Sequence, residues 1–286
     1  MRFTKLQSAG NDFVLIEAAG KERDWAGLAV AVCDRHFGAG ADGLLVVVPS
    51  GNADVGMRIF NADGSEAEAC GNGLRCLVKY AADRGLVGNK EQITVKTIAG
   101  LRHARVTRKN DAVSNIQVGM GKPEFEAAKI PVAVEPGKGN IVDIISDYPL
   151  DIEGRELRLS LASMGNPHAV CFQQQPVDEF PLADIGPAVE KNMLFPKRVN
   201  FEVARAIDRR LIEVRVWERG VGETLACGSG ACAVAVAAQL LGYAGNPVSI
   251  KLPGGTLEVE WDRVGEVLLS GSAGIVFEGQ WPEQAI

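Results

Sequence analysis

The feature that most constrains the fold of this chain is an internal repeat centred on two cysteines. The pattern Ala-Cys-Gly-x-Gly occurs at residues 69–73 and again at 226–230, which places Cys70 and Cys227 157 positions apart (227 − 70). Further positions correspond at an offset of 157 or 155 residues: Arg58 with Arg215, Asn61 with Glu218, Gly85 with Gly242, Gly88 with Gly245, Lys96 with Lys251, Gly100 with Gly255, and Gly10-Asn11 with Gly165-Asn166. A match of this extent indicates a duplication, so we predict two similar lobes that divide the chain near its middle.

Each cysteine follows a strand-like segment and precedes a helix-like one. After Cys227, the segment Ala231–Leu241 contains no charged residue, and a helix that is apolar on every side has to be buried. The glycines before it allow the backbone to approach a ligand closely, and the N–H groups of a first helical turn have no intrahelical acceptor. We therefore expect Cys227 to lie at a helix start, where a thiolate is stabilised and an anion can bind.

The remaining pattern consists mostly of short strands. Each half contains one main central helix, Leu74–Ala82 in the first and Ala231–Leu241 in the second. Shorter helical patterns cover Trp25–Phe37 and Asp184–Asn192, and the proline- and glycine-rich residues 123–139 are interpreted as the connection between the lobes. The expected fold class is α+β, with two pseudo-symmetric lobes, each a mainly antiparallel β-sheet or barrel around a central helix.

Composition and charge exclude several classes of function. The net charge is −6 and no run of lysine and arginine occurs, which argues against a nucleic-acid-binding protein. The segment Met1–Phe13 is not typical of a signal peptide, and no apolar run reaches about 18 residues, so we expect neither export nor a membrane partner. Without an export signal, the six cysteines are expected to be reduced thiols in the cytoplasm. Because they include no Cys-x-x-Cys pair, neither a zinc site nor a thioredoxin-type motif is expected.

Residues 38–43 match the pattern G-x-G-x-x-G of dinucleotide-binding proteins. That fingerprint requires a strand before it and a helix after it. Here the order is reversed, because a helical pattern ends at Gly38 and the β-type run Leu44–Val48 follows. We interpret the segment as a helix-to-strand turn and expect no nucleotide cofactor.

A cysteine site that occurs once in each lobe suggests a cleft with a thiol on either side. Inverting a stereocentre by proton transfer requires a base on one face of the carbon and an acid on the other, and a thiolate and a thiol can exchange these roles. Removing a proton next to a carboxylate leaves charge on its oxygens, which the backbone N–H groups after each cysteine can stabilise as an oxyanion hole does. These N–H groups belong to Gly71, Asn72, Gly228 and Ser229.

Several longer motifs resemble those of the diaminopimelate epimerases, enzymes that interconvert LL- and meso-2,6-diaminopimelate without a cofactor. The motifs cover nearly the whole chain and lie at residues 8–13, 60–65, 69–73, 164–169, 198–200, 218–220 and 223–232. The resemblance implies a small-molecule substrate, a homodimer, and a last strand that returns to the first lobe. On that basis we assign residues 1–120 and 272–286 to a first lobe and residues 121–271 to a second.

The same resemblance implies roles for individual residues. Cys70 and Cys227 are the acid–base pair, and His168 and Glu218 tune the ionisation of the thiols. The side chains implied in substrate binding are Asn11, Asn61, Asn166, Asn200, Glu218 and Arg219, and the amides that hold the reacting carboxylate are those of Gly71, Asn72, Gly228 and Ser229. Two positions depart from a common form of the family, because Gly43 stands where one branch has a glutamine and Leu74 stands where alanine is usual.

Other functions remain open at this stage. A sister racemase of the same fold could act on another amino acid, such as histidine or proline. A cysteine hydrolase could use Cys227, His168 and an asparagine, although it would leave Cys70 without a role. A redox-sensing protein could join Cys70 to Cys227 in a disulfide, and we expect such a disulfide to form on oxidation and to inactivate the enzyme.

Several residues also allow a purely structural interpretation. Asn11 and Asn166 follow a glycine and could be ordinary turn residues, and His168 could be a turn residue bonded to the backbone. Glu218 and Arg219 could form a surface ion pair. The other cysteines and histidines are interpreted as core cysteines (Cys33, Cys76, Cys171 and Cys232) and as surface or core histidines (His36 and His103).

Overall fold

The chain divides into two compact lobes, as seen in a computed structural model that describes residues 1–18, 20, 23–67, 70–110, 112–135, 137–141 and 144–282. Ala69 of the first cysteine motif and the end of the predicted first lobe, residues 283–286, lie outside the described residues. The first lobe consists of Met1–Gly119 and Ser270–Ile286, and the second of Met120–Leu269. The boundaries expected from the sequence lie one residue away at the first junction and two at the second.

The described residues of the first lobe form strands and two helices. In chain order its elements are β1 (Arg2–Ser8), β2 (Asn11–Glu17), α1 (Trp25–Cys33), β3 (Gly43–Val48), β4 (Val55–Asn61), α2 (Gly71–Asp83), β5 (Gln92–Thr97), β6 (Gly100–Lys109) and β7 (Ala112–Gly119). The terminal strand β18 (Gly274–Gln280) pairs antiparallel with β1. The lobe is therefore closed by a strand from the far end of the sequence.

The second lobe repeats this arrangement. Its elements are β8 (Asn140–Ile141), β9 (Ile145–Ile152), β10 (Arg155–Ser163), β11 (Pro167–Phe172), a 3-10 turn (Val177–Glu179), α3 (Leu182–Glu190), β12 (Asn200–Ala206), β13 (Leu211–Glu218), β14 (Gly222–Thr224), α4 (Gly228–Leu240), β15 (Val248–Leu252) and β16 (Gly255–Glu260). The strand β17 (Leu268–Gly271) contains the boundary to the last segment of the first lobe.

Strand pairing is the same in both lobes. In the first, β1 to β6 pair successively as antiparallel, parallel, antiparallel, parallel and antiparallel. In the second, β10, β11, β12, β13, β15 and β16 pair in the same order of directions. The common order confirms the duplication and the α+β class, with antiparallel pairs in the majority.

The two longest helices lie inside the lobes. Eleven of the thirteen residues of α4 are buried, as its lack of charge predicts, and ten of the thirteen residues of α2 are buried. Both begin three residues earlier than the sequence pattern indicates, directly after Cys70 and Cys227. None of the helices in the described part of the chain is long and apolar enough to span a membrane.

One local expectation needs correction, and one strand was not predicted. The helix α1 ends at Cys33 and not at Phe37, because the Asp34 carboxylate accepts the N–H groups of His36 and Phe37 and turns the chain. The strand β9 follows the predicted connection, in a segment to which the sequence analysis assigns no element. It forms a hairpin with β10 through Glu153 and Gly154, which have φ angles of 53° and 82°. A glutamate-glycine turn is not among the usual hairpin signals, so the sequence does not predict the hairpin that contains β9.

Gly43 and the glycine pattern before it connect a helix to a strand, as the sequence indicates. The segment follows α1 and enters β3, the reverse of the order in a dinucleotide-binding unit. A Cβ atom at Gly43 would lie 2.7 Å from the carbonyl oxygen of Phe60. A glutamine at this position would therefore require the backbone to move.

The cysteines assigned to the core, Cys33, Cys76, Cys171 and Cys232, are all buried, which confirms that expectation. Burial raises the pKa of Cys33 from the ordinary 9.0 to about 12, and it raises the pKa values of Cys76 and Cys171 as well. A group whose pKa is higher in the folded state than in the unfolded state contributes its full stabilisation at pH values below the unfolded pKa. This contribution is lost as the pH rises from the unfolded pKa through the folded pKa.

We therefore expect the free energy of unfolding to fall above pH 9, with each such thiol contributing up to about 1.4 kcal/mol per pH unit. Urea titrations between pH 8 and pH 11 with reductant test this, with Cys76→Ala as the matched variant. The parent should lose stability more steeply than Cys76→Ala. Equal slopes would show that the buried thiol does not titrate differently in the folded state.

Candidate active site

Each of the two cysteines is the N-cap residue of a buried helix. Cys70 precedes α2 with extended backbone (φ −149°, ψ 114°), and its Sγ accepts the N–H of Gly73 at 3.3 Å. Cys227 precedes α4 with φ −120° and ψ 116°, and its Sγ accepts the N–H of Gly230 at 3.4 Å. The sulfur thus takes the place of the oxygen acceptor that usually caps a helix, and it lies at the positive end of the helix dipole.

The loops that lead to the cysteines are held by equivalent ion pairs. The guanidinium of Arg58 donates to both carboxylate oxygens of Glu66, at 2.7 and 2.9 Å. Arg215 does the same to Glu223, at 2.8 and 3.0 Å. Two-point contacts of this kind fix orientation as well as distance. Each ties the strand before the cysteine to the segment that turns into the helix.

In the first lobe, the side chain of Asn11 lies beside Cys70. Its Oδ1 is 3.8 Å from Sγ of Cys70 and accepts from Nδ2 of Asn72 at 3.2 Å. Its Nδ2 donates to Oδ2 of Asp42 at 2.6 Å. Since Asp42 can only accept, the amide of Asn11 is forced to present its oxygen to the cysteine.

Arg75 fixes the neighbouring amide from inside the lobe. Its side chain is fully buried on α2, where Nη2 donates to Oδ1 of Asn72 at 2.5 Å and Nε donates to Oγ of Ser8 at 3.0 Å. Because arginine cannot accept a hydrogen bond, Asn72 has to direct its oxygen inward and its NH₂ group towards Asn11. A buried cation and a carboxylate therefore set the orientation of two amides next to Cys70.

Asn61, also expected at the site, ends β4 as the sequence repeat suggests. It is exposed, and its Nδ2 donates to Oγ of Ser65 at 2.9 Å. Its counterpart in the second lobe, Glu218, ends β13 and accepts from Oγ1 of Thr224 at 2.5 Å. The two residues occupy equivalent positions with different chemistry.

In the second lobe, polar side chains connect Cys227 to His168. Sγ of Cys227 is 3.4 Å from Oγ of Ser229, which accepts from Nδ2 of Asn166 at 3.3 Å. Oδ1 of Asn166 lies 2.9 Å from Nε2 of His168. The other ring nitrogen, Nδ1, lies 2.7 Å from Oε1 of Glu202, and both side chains are fully buried. The structure thus joins four predicted site residues and adds Glu202.

The electrostatic setting of Cys227 differs from the sequence expectation. A helix start favours the thiolate, but burial raises the pKa of Cys227 well above its usual value, and the carboxylates of Glu218 and Glu202 raise it further. Burial also raises the pKa of Glu218, against the opposing effect of its hydrogen bonds with Thr224 and Cys227. The expected stabilisation of a thiolate at Cys227 is therefore outweighed in this structure.

Asn200 and Arg219 are joined to each other. Asn200 is buried at the start of β12, donates from Nδ2 to the carbonyl of Pro167 at 3.0 Å, and accepts the backbone N–H of Arg219 at 2.9 Å. The guanidinium of Arg219 is exposed and donates to the carbonyl of Lys197 at 3.2 Å. Asn200 braces two loops, whereas Arg219 offers a cation to solvent. Within the described residues, no group of three or more His, Cys, Asp or Glu side chains is arranged to hold a metal ion.

Comparison with known proteins identifies the family. The sequence pattern described as diaminopimelate epimerase matches residues 3–126 and 160–276 of the chain. A diaminopimelate epimerase of Desulfovibrio desulfuricans is 47% identical over 283 residues, a match that covers 98% of each chain. The chain belongs to the diaminopimelate epimerase family. A second family member, from Pelotomaculum thermopropionicum, is 44% identical over 285 residues, which cover 99% of each chain.

Solved structures of much lower identity share the fold of this diaminopimelate epimerase family member. A probable proline racemase from Agrobacterium radiobacter K84 has a TM-score of 0.71 at 15% identity, and the match covers 99% of this chain and 93% of that one. A phenazine biosynthesis protein of the PhzF family from Bacillus anthracis has a TM-score of 0.70 at 17% identity, with 98% of each chain covered. At such identities the likeness concerns the fold alone.

Sequence reasoning missed three charged residues around the epimerase-family cysteines: Glu202, Arg75 and Asp42. Glu202 is the one polar side chain in the segment Phe201–Ala204, and a charge in a buried strand is itself a signal. Arg75 belongs to the buried part of α2. Asp42 lies inside the glycine pattern of residues 38–43, where an aspartate is typical of a turn and does not indicate a contact near Cys70.

Proposed function

We propose that this chain interconverts LL- and meso-2,6-diaminopimelate without a cofactor, by proton transfer at one α-carbon. The observation that carries the proposal is the pair of equivalent cysteine N-caps in a chain 47% identical to a protein named diaminopimelate epimerase. One thiolate removes the α-proton and the thiol of the other cysteine returns a proton. In the reverse reaction, Cys70 and Cys227 exchange these roles.

Charge that develops on the reacting carboxylate is stabilised by the helix starts. Helix geometry leaves the N–H groups of a first turn without an intrahelical acceptor, and such groups act as preorganised donors to a developing anion. In this chain they belong to Gly71, Asn72, Gly228 and Ser229. A partly buried helix end contributes up to about 2 kcal/mol to binding a negative charge.

The distal ammonium and carboxylate groups of the substrate distinguish it from other amino acids. Asn11 and Asn166, beside the two cysteines, supply amide oxygens and NH₂ groups, with Asn61 as a further amide. The exposed guanidinium of Arg219 suits a second carboxylate because it can bind both oxygens at once. In this proposal Asn200 places Arg219 through its backbone, and Glu218 and His168 adjust the acidity of Cys227.

A cysteine hydrolase is less compatible with the geometry. Such an enzyme needs a histidine nitrogen that takes the proton of the nucleophilic thiol directly. In this chain the two ring nitrogens of His168 face Glu202 and Asn166. The histidine therefore reaches Cys227 only through Asn166 and Ser229.

We also propose a cytoplasmic homodimer. Cys33, Cys76, Cys171 and Cys227 are thiols, as is usual in a reducing compartment. Three apolar side chains of β18, Ile275, Val276 and Phe277, are 39%, 56% and 46% exposed, and apolar side chains exposed in one short segment favour a protein–protein contact. Sedimentation of the purified protein would distinguish a dimer from a monomer.

The function is tested by incubating the reduced protein separately with LL- and meso-diaminopimelate. We expect both reactions to reach the same mixture, in the presence of a metal chelator and without any added cofactor. Chromatography that separates the stereoisomers provides the measurement. Failure to convert either isomer, by protein that is folded and reduced, would contradict the substrate assignment.

A further inference from the structure

Glu202 is a fully buried carboxylate that the proposed chemistry leaves without a role. It lies on β12 with no exposed surface. At the repeat offset of 157 residues its counterpart in the first lobe is Leu45, an apolar core residue (202 − 157). The charge is therefore a feature of the second lobe alone. Burying a carboxylate is costly unless it is paired, so its presence requires a partner.

That partner is His168. Oε1 of Glu202 lies 2.7 Å from Nδ1 of the ring, and both side chains have no exposed surface. The other carboxylate oxygen, Oε2, is buried and has no hydrogen-bond partner among the described residues. The imidazole ring is thus the group that compensates the buried negative charge.

The hydrogen-bond partner of the second ring nitrogen, Nε2, bears on the protonation of His168. Nε2 of His168 lies 2.9 Å from Oδ1 of Asn166, an oxygen that can only accept a hydrogen bond. When Glu202 is ionised, its Oε1 also accepts, so both ring nitrogens carry protons. The geometry is that of an imidazolium paired with a carboxylate.

The direction of the remaining hydrogen bonds follows from this protonation. Because Oδ1 of Asn166 is turned to His168, its Nδ2 donates to Oγ of Ser229 at 3.3 Å. The hydroxyl proton of Ser229 is then available to Sγ of Cys227, 3.4 Å away, and a donor at this position stabilises a thiolate. With a neutral ring that accepted at Nε2, the amide would turn over and Ser229 would become an acceptor towards Cys227.

We propose that Glu202 is a positioning residue of the reaction: through His168 it fixes the Asn166 amide and the Ser229 hydroxyl in the orientation that supports proton transfer at Cys227. This proposal rests on the proposed function, because it assigns Glu202 a part in that chemistry. It explains why a charge is buried at a position that the first lobe fills with leucine.

The decisive comparison is between Glu202→Gln and Glu202→Asp. Glutamine keeps the size of the side chain and removes the charge, whereas aspartate keeps the charge and leaves a gap of one methylene group. We expect kcat to fall roughly 10- to 100-fold in Glu202→Gln, less than the roughly 10⁴-fold effect of neutralising the carboxylate behind a directly acting histidine. We expect a smaller loss in Glu202→Asp. Because Asn166 also binds the substrate in the proposed function, KM should rise in Glu202→Gln as well, by a smaller factor than kcat falls.

A packing role would produce the opposite order, because the gap left by aspartate would harm the core more than the isosteric glutamine. The matched control is Glu213→Gln, which removes a carboxylate of the same lobe that pairs with Lys251 at its surface. This variant should retain the parent kcat. Thermal unfolding of all three variants shows whether each remains folded at the assay temperature.

Nitrogen NMR of the histidine rings provides a readout that needs no substrate. The chain has three histidines, and His36 and His103 are exposed, so the buried His168 can be identified. At neutral pH we expect two protonated ring nitrogens for His168 in the parent and in Glu202→Asp, and only one in Glu202→Gln. An unchanged ring in Glu202→Gln, or a higher kcat in Glu202→Gln than in Glu202→Asp, would overturn the proposal.

The two proposals can fail separately. If the parent does not epimerise diaminopimelate, the proposed function fails, and the ring protonation of His168 alone decides whether Glu202 controls the imidazole. If the parent is active and the ring is unaffected by Glu202→Gln, only the role of Glu202 fails.

Discussion

The variant Cys227→Ala is expected to lose epimerisation of diaminopimelate by roughly 10⁴-fold, the upper range for removing a general acid or base. Cys70→Ala should show the same loss, because a two-base reaction needs both groups in either direction. Part of any effect of alanine could come from the helix, since removing an N-cap acceptor costs about 1 kcal/mol. Turnover and urea unfolding should therefore be measured on the same preparations.

Two further variants separate the chemistry from the cap. Serine is a good N-cap residue but a far weaker acid than cysteine, so Cys227→Ser should retain stability and still lose activity. Cys232 is a buried cysteine on the same helix, α4, with no assigned part in the reaction, and Cys232→Ala should keep turnover within a few-fold. Activity in Cys227→Ser close to that of the parent would exclude an acid–base role for this position.

Arg75→Met is expected to lower the free energy of unfolding by about 3 kcal/mol, because hydrogen bonds to a charged group contribute about 1.5–3 kcal/mol each. The substitution leaves Oδ1 of Asn72 and Oγ of Ser8 without the donors that Arg75 provides. The amide of Asn72 is then free to turn over, which removes its donation to Oδ1 of Asn11 beside Cys70. We therefore expect kcat to fall by about 100-fold as well.

The control for Arg75 is lysine, which keeps the charge but not the planar arrangement of donors. Arg75→Lys should recover part of the stability and less of the activity, because it cannot reach Asn72 and Ser8 in the same geometry. Denaturant titration and initial rates on both variants provide the test. A fully active Arg75→Met would show that the amide orientations at Cys70 do not depend on the buried cation.

The duplication made much of this structure accessible from the sequence. Two copies of one pattern at a constant offset indicated equivalent strands, turns and helices, and the pairing order of the strands confirms it. The absence of charge in the segment after Cys227 predicted a buried helix. The glycines after each cysteine indicated that Cys70 and Cys227 lie near the starts of their own helices. The repeated pattern, the uncharged segment and the glycines can all be recognised in the sequence itself, because none of them depends on contacts between distant parts of the chain.

Other features depend on contacts that the sequence does not display. The hairpin of β9 and β10 is formed through Glu153 and Gly154, a turn with weak sequence character. The acidity of Cys227 depends on burial and on carboxylates that approach from β12 and β13, which outweigh the helix start. Arg75 looks like an ordinary surface charge in the sequence. The apolar neighbours of Glu202 indicate burial, but only packing shows which groups enclose it.

The most direct test of the two-thiol reaction is the position of deuterium after brief incubation of LL-diaminopimelate in deuterium oxide. A proton removed by one cysteine and replaced from the other should give meso product that carries deuterium at the inverted carbon, while the remaining LL substrate initially keeps hydrogen. Mass spectrometry and NMR of the separated isomers measure both. Meso product that retains the original hydrogen, or LL substrate that gains deuterium as fast as product forms, would contradict a reaction that uses Cys70 and Cys227 as separate acid and base.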